Sequence, residues 1–208
     1  DEARAYMTDL VARHRADPGD DLLGMLIREH AADVTDDELV GIGNLLLIAG
    51  HETTSNMLSL GTLALLEHPE QLARLRDDPE SVDAAVEELL RWLTVVHGGF
   101  PRAATEDTTI GGHPVRVGEL VISSLAAADR DPSVVAAPET LDITRAPAPH
   151  LAFGHGIHHC LGAPLARIEM RVAFPALLQR FPALRPAGEP EFRDRTLIYG
   201  LRRLPLAW

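Results

Sequence analysis

The longest apolar stretch of the chain lies between residues 39 and 66, and its apolar positions recur with the period of an α-helix. A helix start precedes it, because Thr35 and Glu38 have the spacing of a capping box and Val34 can pack onto Leu39. The pattern predicts one helix of about thirty residues, which is longer than a usual helix. A helix that is apolar on most sides belongs in the middle of a larger protein.

The rest of the chain predicts shorter helices and a few strands. Pro69 and Pro79 each stand where a first helical residue would, and Asp78 is expected to cap the helix that starts at Pro79. Gly111 and Gly112 predict a hairpin turn. The helix that starts at Pro79 is expected to run to about residue 92, and further helices are predicted over 3–15, 21–29 and 161–181. Strands are predicted over 108–110, 114–117 and 118–125. An irregular segment is expected over 126–151 and short β pieces over 182–208. The fold class is therefore mostly α with minor β structure.

Composition excludes some partners. The 208 residues carry 19 basic and 31 acidic side chains, for a formal charge of −12. No nucleic-acid partner is expected, because binding nucleic acid needs a basic surface. A single cysteine cannot form an internal disulfide, which favours a reducing, cytoplasmic setting. No membrane span or signal peptide is expected, since no run of about eighteen apolar residues is present.

The single cysteine, Cys160, stands just before a predicted helix in a glycine-rich loop that runs from Phe153 to Gly162. Glycine lets the backbone turn tightly and approach a flat ligand, and a helix N-terminus favours thiolate over thiol. The residues alone leave two other interpretations open. A lone cysteine is often a small buried hydrophobic residue, and a zinc site could be built from His155, His158, His159 and Cys160.

This loop resembles the haem-binding signature of the cytochrome P450 family, Phe-x-x-Gly-x-His/Arg-x-Cys-x-Gly, at every defined position. The resemblance implies that Cys160 is the thiolate ligand of a haem b iron. It also implies that His158 meets a haem propionate, and that Phe153, Gly154 and Gly162 belong to the cofactor site. Thiolate ligation pushes electron density onto iron and favours cleavage of the O–O bond.

The middle of the long helix reads Ala49-Gly50-His51-Glu52-Thr53-Thr54. A glycine costs helix stability, and an adjacent acid and alcohol are poor choices for a buried apolar helix. On the residues alone, a kink with a satisfied polar pair is an alternative. The run resembles the P450 oxygen-binding motif. That resemblance implies that Ala49 and Gly50 lie against the cofactor, that Thr53 faces the distal oxygen and that Glu52 helps to relay protons.

Two further segments match the family in its order. Glu88 and Arg91 have the spacing of its Glu-x-x-Arg motif, and the resemblance implies that they lock to Arg145 as a structural clamp. Arg102 matches the arginine that holds a haem propionate. The resemblance also suggests substrate contacts, although these are the weakest of its implications. The positions are Leu46, Val95, Val96 and Ile198.

The resemblance spans essentially all 208 residues but only about the second half of the family's chain. Residues 1–208 are thus expected to be the C-terminal, haem-bearing part of one P450 domain, inactive without its N-terminal half. The implied reaction inserts one oxygen atom from O₂ into a small organic molecule. The electrons come from NAD(P)H through a ferredoxin and its reductase. The alternatives are a peroxygenase-like haem-thiolate protein without monooxygenase activity, and a zinc-binding interaction module.

Overall fold

A computed structural model describes residues 2–30 and 32–208, which form two compact units, residues 1–52 and 53–208. Helices dominate and the strands are short, so the predicted fold class is confirmed. The helices are α1 (Glu2–Ala16), α2 (Leu22–His30), α3 (Asp36–Glu67), α4 (Pro69–Asp77), α5 (Val82–Leu93), α6 (Leu125–Ala128) and α7 (Ala163–Arg180). The strands are β1 (Arg102–Ala103), β2 (Thr108–Ile110), β3 (His113–Val115), β4 (Leu120–Val121), β5 (Arg185–Pro186), β6 (Glu191–Phe192), β7 (Leu201–Arg203) and β8 (Leu206–Ala207).

The first unit contains α1, α2 and the first half of α3. The predicted capping box starts α3, since the Thr35 amide and hydroxyl both donate to Glu38 at 2.8 Å and the Glu38 amide donates back to Thr35 Oγ1 at 3.3 Å. Val34 packs on the cluster that contains Leu39, as the staple requires. The buried members of that cluster are Met7, Val11, Ile27, Leu39 and Val40.

The second unit is built around α5. Its apolar positions Val86, Leu89 and Leu90 are almost completely buried, because they follow the helical period and share one face. They lie in one cluster with Met170 and Phe174 of α7. The second half of α3 joins this core at Gly61, where an added Cβ would stand 2.6 Å from the Phe174 ring. Close approach therefore requires glycine at this position.

Four pairs of antiparallel strands complete the second unit. The predicted hairpin pairs β2 with β3 around Gly111 and Gly112, whose φ angles of +57° and +83° favour glycine. The strand predicted over 118–125 is wrong in extent. Only residues 120–121 form a paired strand, β4, which pairs with β1. Ser124 has an extended backbone and forms an isolated bridge with Gly98, and its side chain caps α6 by accepting the Ala127 amide.

The predicted helix start at Pro79 is a short 3₁₀ turn, Pro79–Ser81, that leads directly into α5. Asp78 caps this turn by accepting the Glu80 amide at 3.2 Å. Over residues 2–30 and 32–208, every helix is too short or too polar to cross a bilayer.

Candidate functional site

The cysteine loop, residues 153–162, is folded by its glycines. Gly154 and Gly156 have φ angles of +72° and +80°, which side chains rarely adopt, so each turn requires glycine. A 3₁₀ turn, Gly156–His158, starts at the second of these glycines and leads towards the cysteine. The Cys160 amide donates to the Phe153 carbonyl at 2.9 Å, which closes the loop. Gly162 then precedes the first residue of α7, so the sulfur stands ahead of a helix N-terminus.

Cys160 is a free and exposed thiol, so it is not the small buried hydrophobic residue that was one alternative. The neighbouring side chains of Ile157 and Leu161 are apolar, yet 97% and 84% exposed. A soft thiolate beside an exposed apolar rim fits the iron and the flat apolar face of a haem. No group of three or more His, Cys, Asp or Glu among the described residues is arranged to hold a metal ion. That result does not favour a zinc site in this loop.

Two basic side chains implied to meet the haem propionates are exposed, His158 in the 3₁₀ turn and Arg102 on β1. Within residues 2–30 and 32–208, neither side chain has a hydrogen-bond or ion-pair partner. An exposed guanidinium with free donors suits a carboxylate ligand through charge-assisted hydrogen bonds.

The acid–alcohol pair lies within the continuous helix α3, where no residue of the run interrupts the helix. Ala49 and Gly50 are exposed, and Glu52 and Thr53 are half-buried. An added Cβ on Gly50 would meet nothing within 4 Å, so no neighbour requires glycine at this position. Leu46, Ala49, Gly50 and Glu52 belong to the first unit, and Thr53 and the cysteine loop belong to the second.

The structure brings Glu88, Arg91 and Arg145 together. Arg91 is 1% exposed and donates to both oxygens of Glu88 at 2.8 and 2.9 Å. Its remaining donors reach the carbonyls of Asp129, Pro138 and Thr140. Arg145 Nε and the Asp142 amide both reach Glu88 Oε1, at 3.2 and 3.0 Å. We call Glu88, Arg91 and Arg145 the Glu88 cluster. It joins α5 to the irregular segment ahead of the cysteine loop.

Sequence reasoning missed a second ion cluster one residue away. Glu87 accepts from Arg167 Nε at 2.6 Å and Nη2 at 2.9 Å, and its Oε2 lies 3.0 Å from His150 Nε2. The Arg167 guanidinium also lies over the Phe153 ring, 4.6 Å from its centroid. We call Glu87, His150, Phe153 and Arg167 the Glu87 cluster. No local signal predicts it, because Glu87 and Arg167 are 80 residues apart in the sequence.

Glu87 and Arg167 shift each other's pKa. Partial burial acts to raise the pKa of Glu87, but hydrogen bonds from His150 and Arg167 outweigh it and lower the pKa to about 2. The hydrogen bond to Glu87 raises the pKa of Arg167 against the effect of burial, and the charges of Glu87 and Cys160 raise it further. The cluster is therefore part of the electrostatic environment of the cysteine loop.

Asp129 was also missed. This carboxylate is 3% exposed and accepts from the Thr94 hydroxyl at 2.9 Å and from the Leu151 amide at 2.6 Å. Thr94 has a φ angle of +39°, so it turns the chain sharply at the end of α5. Asp129 fixes that turn against the segment that enters the cysteine loop. Sequence reasoning placed Asp129 in an irregular segment, where a buried carboxylate is not expected.

The residues expected to contact substrate are not equally placed. Val96 and Ile198 form an isolated antiparallel bridge and are half-buried. Val95 is 6% exposed and belongs to the core, and its carbonyl accepts the Tyr199 amide at 2.8 Å. A groove of about 840 Å³ lies at the end of α7. It is lined mainly by Leu58, Thr62, Phe174, Leu177 and Phe181, and by none of the residues expected to contact substrate.

Known proteins resemble this chain along its whole length. The family model described as cytochrome P450 matches residues 5–206. Cytochrome P450 105C1 from a Streptomyces species is 55% identical over 202 residues, which are 96% of this chain and 53% of that protein. Nocardicin C N-oxygenase from Nocardia uniformis subsp. tsuyamanensis is 47% identical over 208 residues, which are 98% of this chain and 52% of that protein.

The solved structures agree. One match is Streptomyces peucetius CYP105P2, solved in complex with a biphenyl compound, with a TM-score of 0.93 and 46% sequence identity. The match covers 100% of this chain and 54% of the CYP105P2 chain. The chain spans about half the length of the curated relatives it matches. Its helices and short strands form part of the P450 fold. With a family match over residues 5–206 and a relative that is 55% identical over 96% of this chain, the chain belongs to the cytochrome P450 family.

Proposed function

We propose that this chain supplies the cysteine ligand and the neighbouring part of the active site of a haem-thiolate monooxygenase. The observation that carries the proposal is the exposed thiol of Cys160, held by glycine turns ahead of a helix and surrounded by exposed apolar side chains. One relative supports the reaction class by name, since it is an N-oxygenase.

Cys160 is the residue that would hold the iron of the haem, with Phe153, Gly154 and Gly162 shaping the loop around it. Arg102 and His158 would each hold a propionate, because both side chains are exposed and can donate a hydrogen bond to a carboxylate. We expect haem b because the family resemblance implies it. When bound, the haem supplies activation of O₂, which thiolate ligation promotes.

The chain's own polar residues would manage protons and substrate. Glu52 and Thr53 are adjacent and half-buried, a placement that suits passing protons from solvent to the distal side of the haem. Ala49 and Gly50 would leave room there, since nothing lies within 4 Å of a Cβ on Gly50. Leu46, Val95, Val96 and Ile198 stay predictions as substrate contacts. The Glu88 cluster would act as a structural clamp, since its charges are buried and paired.

The remaining parts of the function follow from the family. The substrate would be a small organic molecule, and the electrons would come from NAD(P)H through a ferredoxin and its reductase. A cytoplasmic setting is proposed from the single, unpaired cysteine. Residues 1–208 would form the C-terminal part of one P450 domain and would be inactive without the rest of it.

The test is a reduced, CO-bound absorption spectrum of the full-length protein. Thiolate-ligated haem gives a strongly red-shifted Soret band, and Cys160→Ser should abolish it. His159→Ala, at the adjacent exposed residue, is the matched control and should keep the band. A band that survives Cys160→Ser contradicts the ligand assignment.

A second measurement separates monooxygenase from peroxygenase-like chemistry. If Glu52 and Thr53 relay protons, Thr53→Ala should uncouple NAD(P)H use from product and release peroxide. Thr54→Ala replaces the same side chain on the next residue of α3, about 100° around the helix. If the two variants couple NAD(P)H use to product formation to the same extent, the relay role is contradicted and the peroxygenase-like alternative is favoured.

A further inference from the structure

The Glu87 cluster connects the two sides of the cysteine loop. His150 and Phe153 stand before Cys160, Arg167 stands after it on α7, and Glu87 of α5 contacts both sides. The proposed function assigns no role to Glu87, His150 or Arg167, and none of these residues belongs to the Glu88 cluster.

We propose that Arg167 is a positioning residue for the ligand cysteine. Its guanidinium binds Glu87 and lies over the Phe153 ring, and so fixes the loop in which the Phe153 carbonyl accepts the Cys160 amide. The inference rests on the proposed function, since it concerns how the haem ligand is held.

The contacts of Arg167 restrict it in two directions. Two hydrogen bonds to one carboxylate fix the orientation of the guanidinium, whose carbon lies over the Phe153 ring at 4.6 Å from the ring centroid. Phe153 is thereby held by its side chain while its carbonyl holds the Cys160 amide at 2.9 Å. Lysine at position 167 would keep the charge but neither the paired geometry nor the planar contact.

His150 fixes the same carboxylate from the other side. The Ala152 amide donates to His150 Nδ1 at 3.3 Å, so Nε2 carries the proton and donates to Glu87 Oε2 at 3.0 Å. Glu87 is thus held by the segment before the cysteine and by the helix after it. A change at Glu87 or Arg167 therefore acts on the cysteine through its loop.

The cluster also places two opposite charges near the ligand. Loss of Arg167 removes a positive charge from the environment of the thiolate and the iron, which favours the oxidised iron and lowers its reduction potential. Loss of Glu87 removes a negative charge and raises the potential. A purely structural role does not predict shifts of opposite sign.

The chain provides a matched control one helical turn away. Arg171 Nε lies 2.7 Å from Asp83 Oδ1, so this pair joins the same two helices as Arg167 and Glu87. Asp83 and Arg171 are each four residues from their counterparts, on the side away from the cysteine loop. Arg171→Gln removes an ion pair between α5 and α7 and leaves Phe153 and its contact with Arg167 unchanged.

The experiment uses the haem-loaded full-length protein and measures haem dissociation, the reduced CO-bound band and the reduction potential. Outer partners of metal ligands change metal affinity by about 10- to 100-fold, so Arg167→Gln should lose haem or the red-shifted band at least about tenfold faster than Arg171→Gln. Arg167→Lys should lie between wild type and Arg167→Gln. Arg167→Gln should lower the potential, and Glu87→Gln should raise it.

The inference is overturned if Arg167→Gln and Arg171→Gln lose haem equally fast, or if both charge removals move the potential in the same direction. If Arg167→Gln does not fold, the test uses Arg167→Lys and Glu87→Gln instead. The inference is contradicted if both of these variants retain haem as well as the wild type does. Failure of the proposed function looks different. The wild-type protein would itself lack the red-shifted band, whatever residue stands at position 167.

Discussion

The Glu87 and Glu88 clusters grow from adjacent residues of one helix and have opposite properties. In the Glu88 cluster, Glu88 and Arg91 are almost completely buried, and Arg91 alone makes five hydrogen bonds. In the Glu87 cluster, the side chains of Glu87 and Arg167 keep 33% and 26% of their surface exposed. Buried charges must pair with each other inside the fold, whereas partly exposed charges remain accessible to a ligand beside them. Neighbouring carboxylates can thus serve the fold and the site separately.

The largest effect is expected at the buried cluster. Arg91→Met should lower the free energy of unfolding by about 3–5 kcal/mol, because it leaves Glu88 buried with only part of its partners. Denaturant unfolding measures this difference. Arg203→Met removes an exposed pair with Glu191 at 3.4 Å and should cost less than about 1 kcal/mol. Similar losses of unfolding free energy in the two variants would contradict the contrast between buried and exposed ion pairs.

An intermediate effect is expected at Glu87, and it should depend on pH. The folded pKa of Glu87 is about 2 and its ordinary value is 4.5, so its contribution to stability is complete above about pH 4.5 and is lost as the pH falls towards 2. Glu87→Gln should remove this part of the acid destabilisation.

The check on Glu87 is unfolding measured between pH 6 and pH 2, using about one pH unit per step. Glu106→Gln, at an exposed residue of the same unit, should keep the wild-type pH profile. If Glu87→Gln also keeps that profile, the hydrogen bonds from His150 and Arg167 do not stabilise the folded chain as described.

The smallest effect on stability is expected at the proposed haem ligand. Cys160→Ser should change the free energy of unfolding of the haem-free protein by no more than about 0.5 kcal/mol, because the thiol is exposed. The same denaturant measurement applies. A loss of several kcal/mol, like that at Arg91, would make Cys160 part of the folded core and not of an open ligand site.

Local signals account for the parts of this fold that the sequence predicted. The capping box at Thr35, the proline at the start of α4 and the glycines of the β2–β3 hairpin each act within a few residues, so they can be recognised without the fold. The cysteine loop was predicted in the same way, since its glycines and cysteine lie within ten positions. The strand observed within 118–125 is shorter than expected, and the cap that Ser124 provides starts α6 at Leu125, the last residue of the predicted strand.

Long-range contacts account for what the sequence could not predict. The partners of Asp129 are 35 and 22 residues away, and neither apolar period nor motif spacing predicts such pairs. The burial of Val95 depends on long-range packing of the same kind, and its role as a substrate contact stays a prediction.

The four-residue spacing of the two ion pairs between α5 and α7 leaves the alignment of these helices underdetermined. Asp83 and Glu87 are one turn apart on α5, and Arg167 and Arg171 are one turn apart on α7, with the helices antiparallel. If α7 slid by one turn, about 5.4 Å, Arg171 would stand opposite Glu87 and a carboxylate–guanidinium pair would still form. The charges alone permit both alignments. The observed packing of Met170 and Phe174 into the core around α5 belongs to only one of them, so apolar contacts, and not charge, determine where α7 stops along α5.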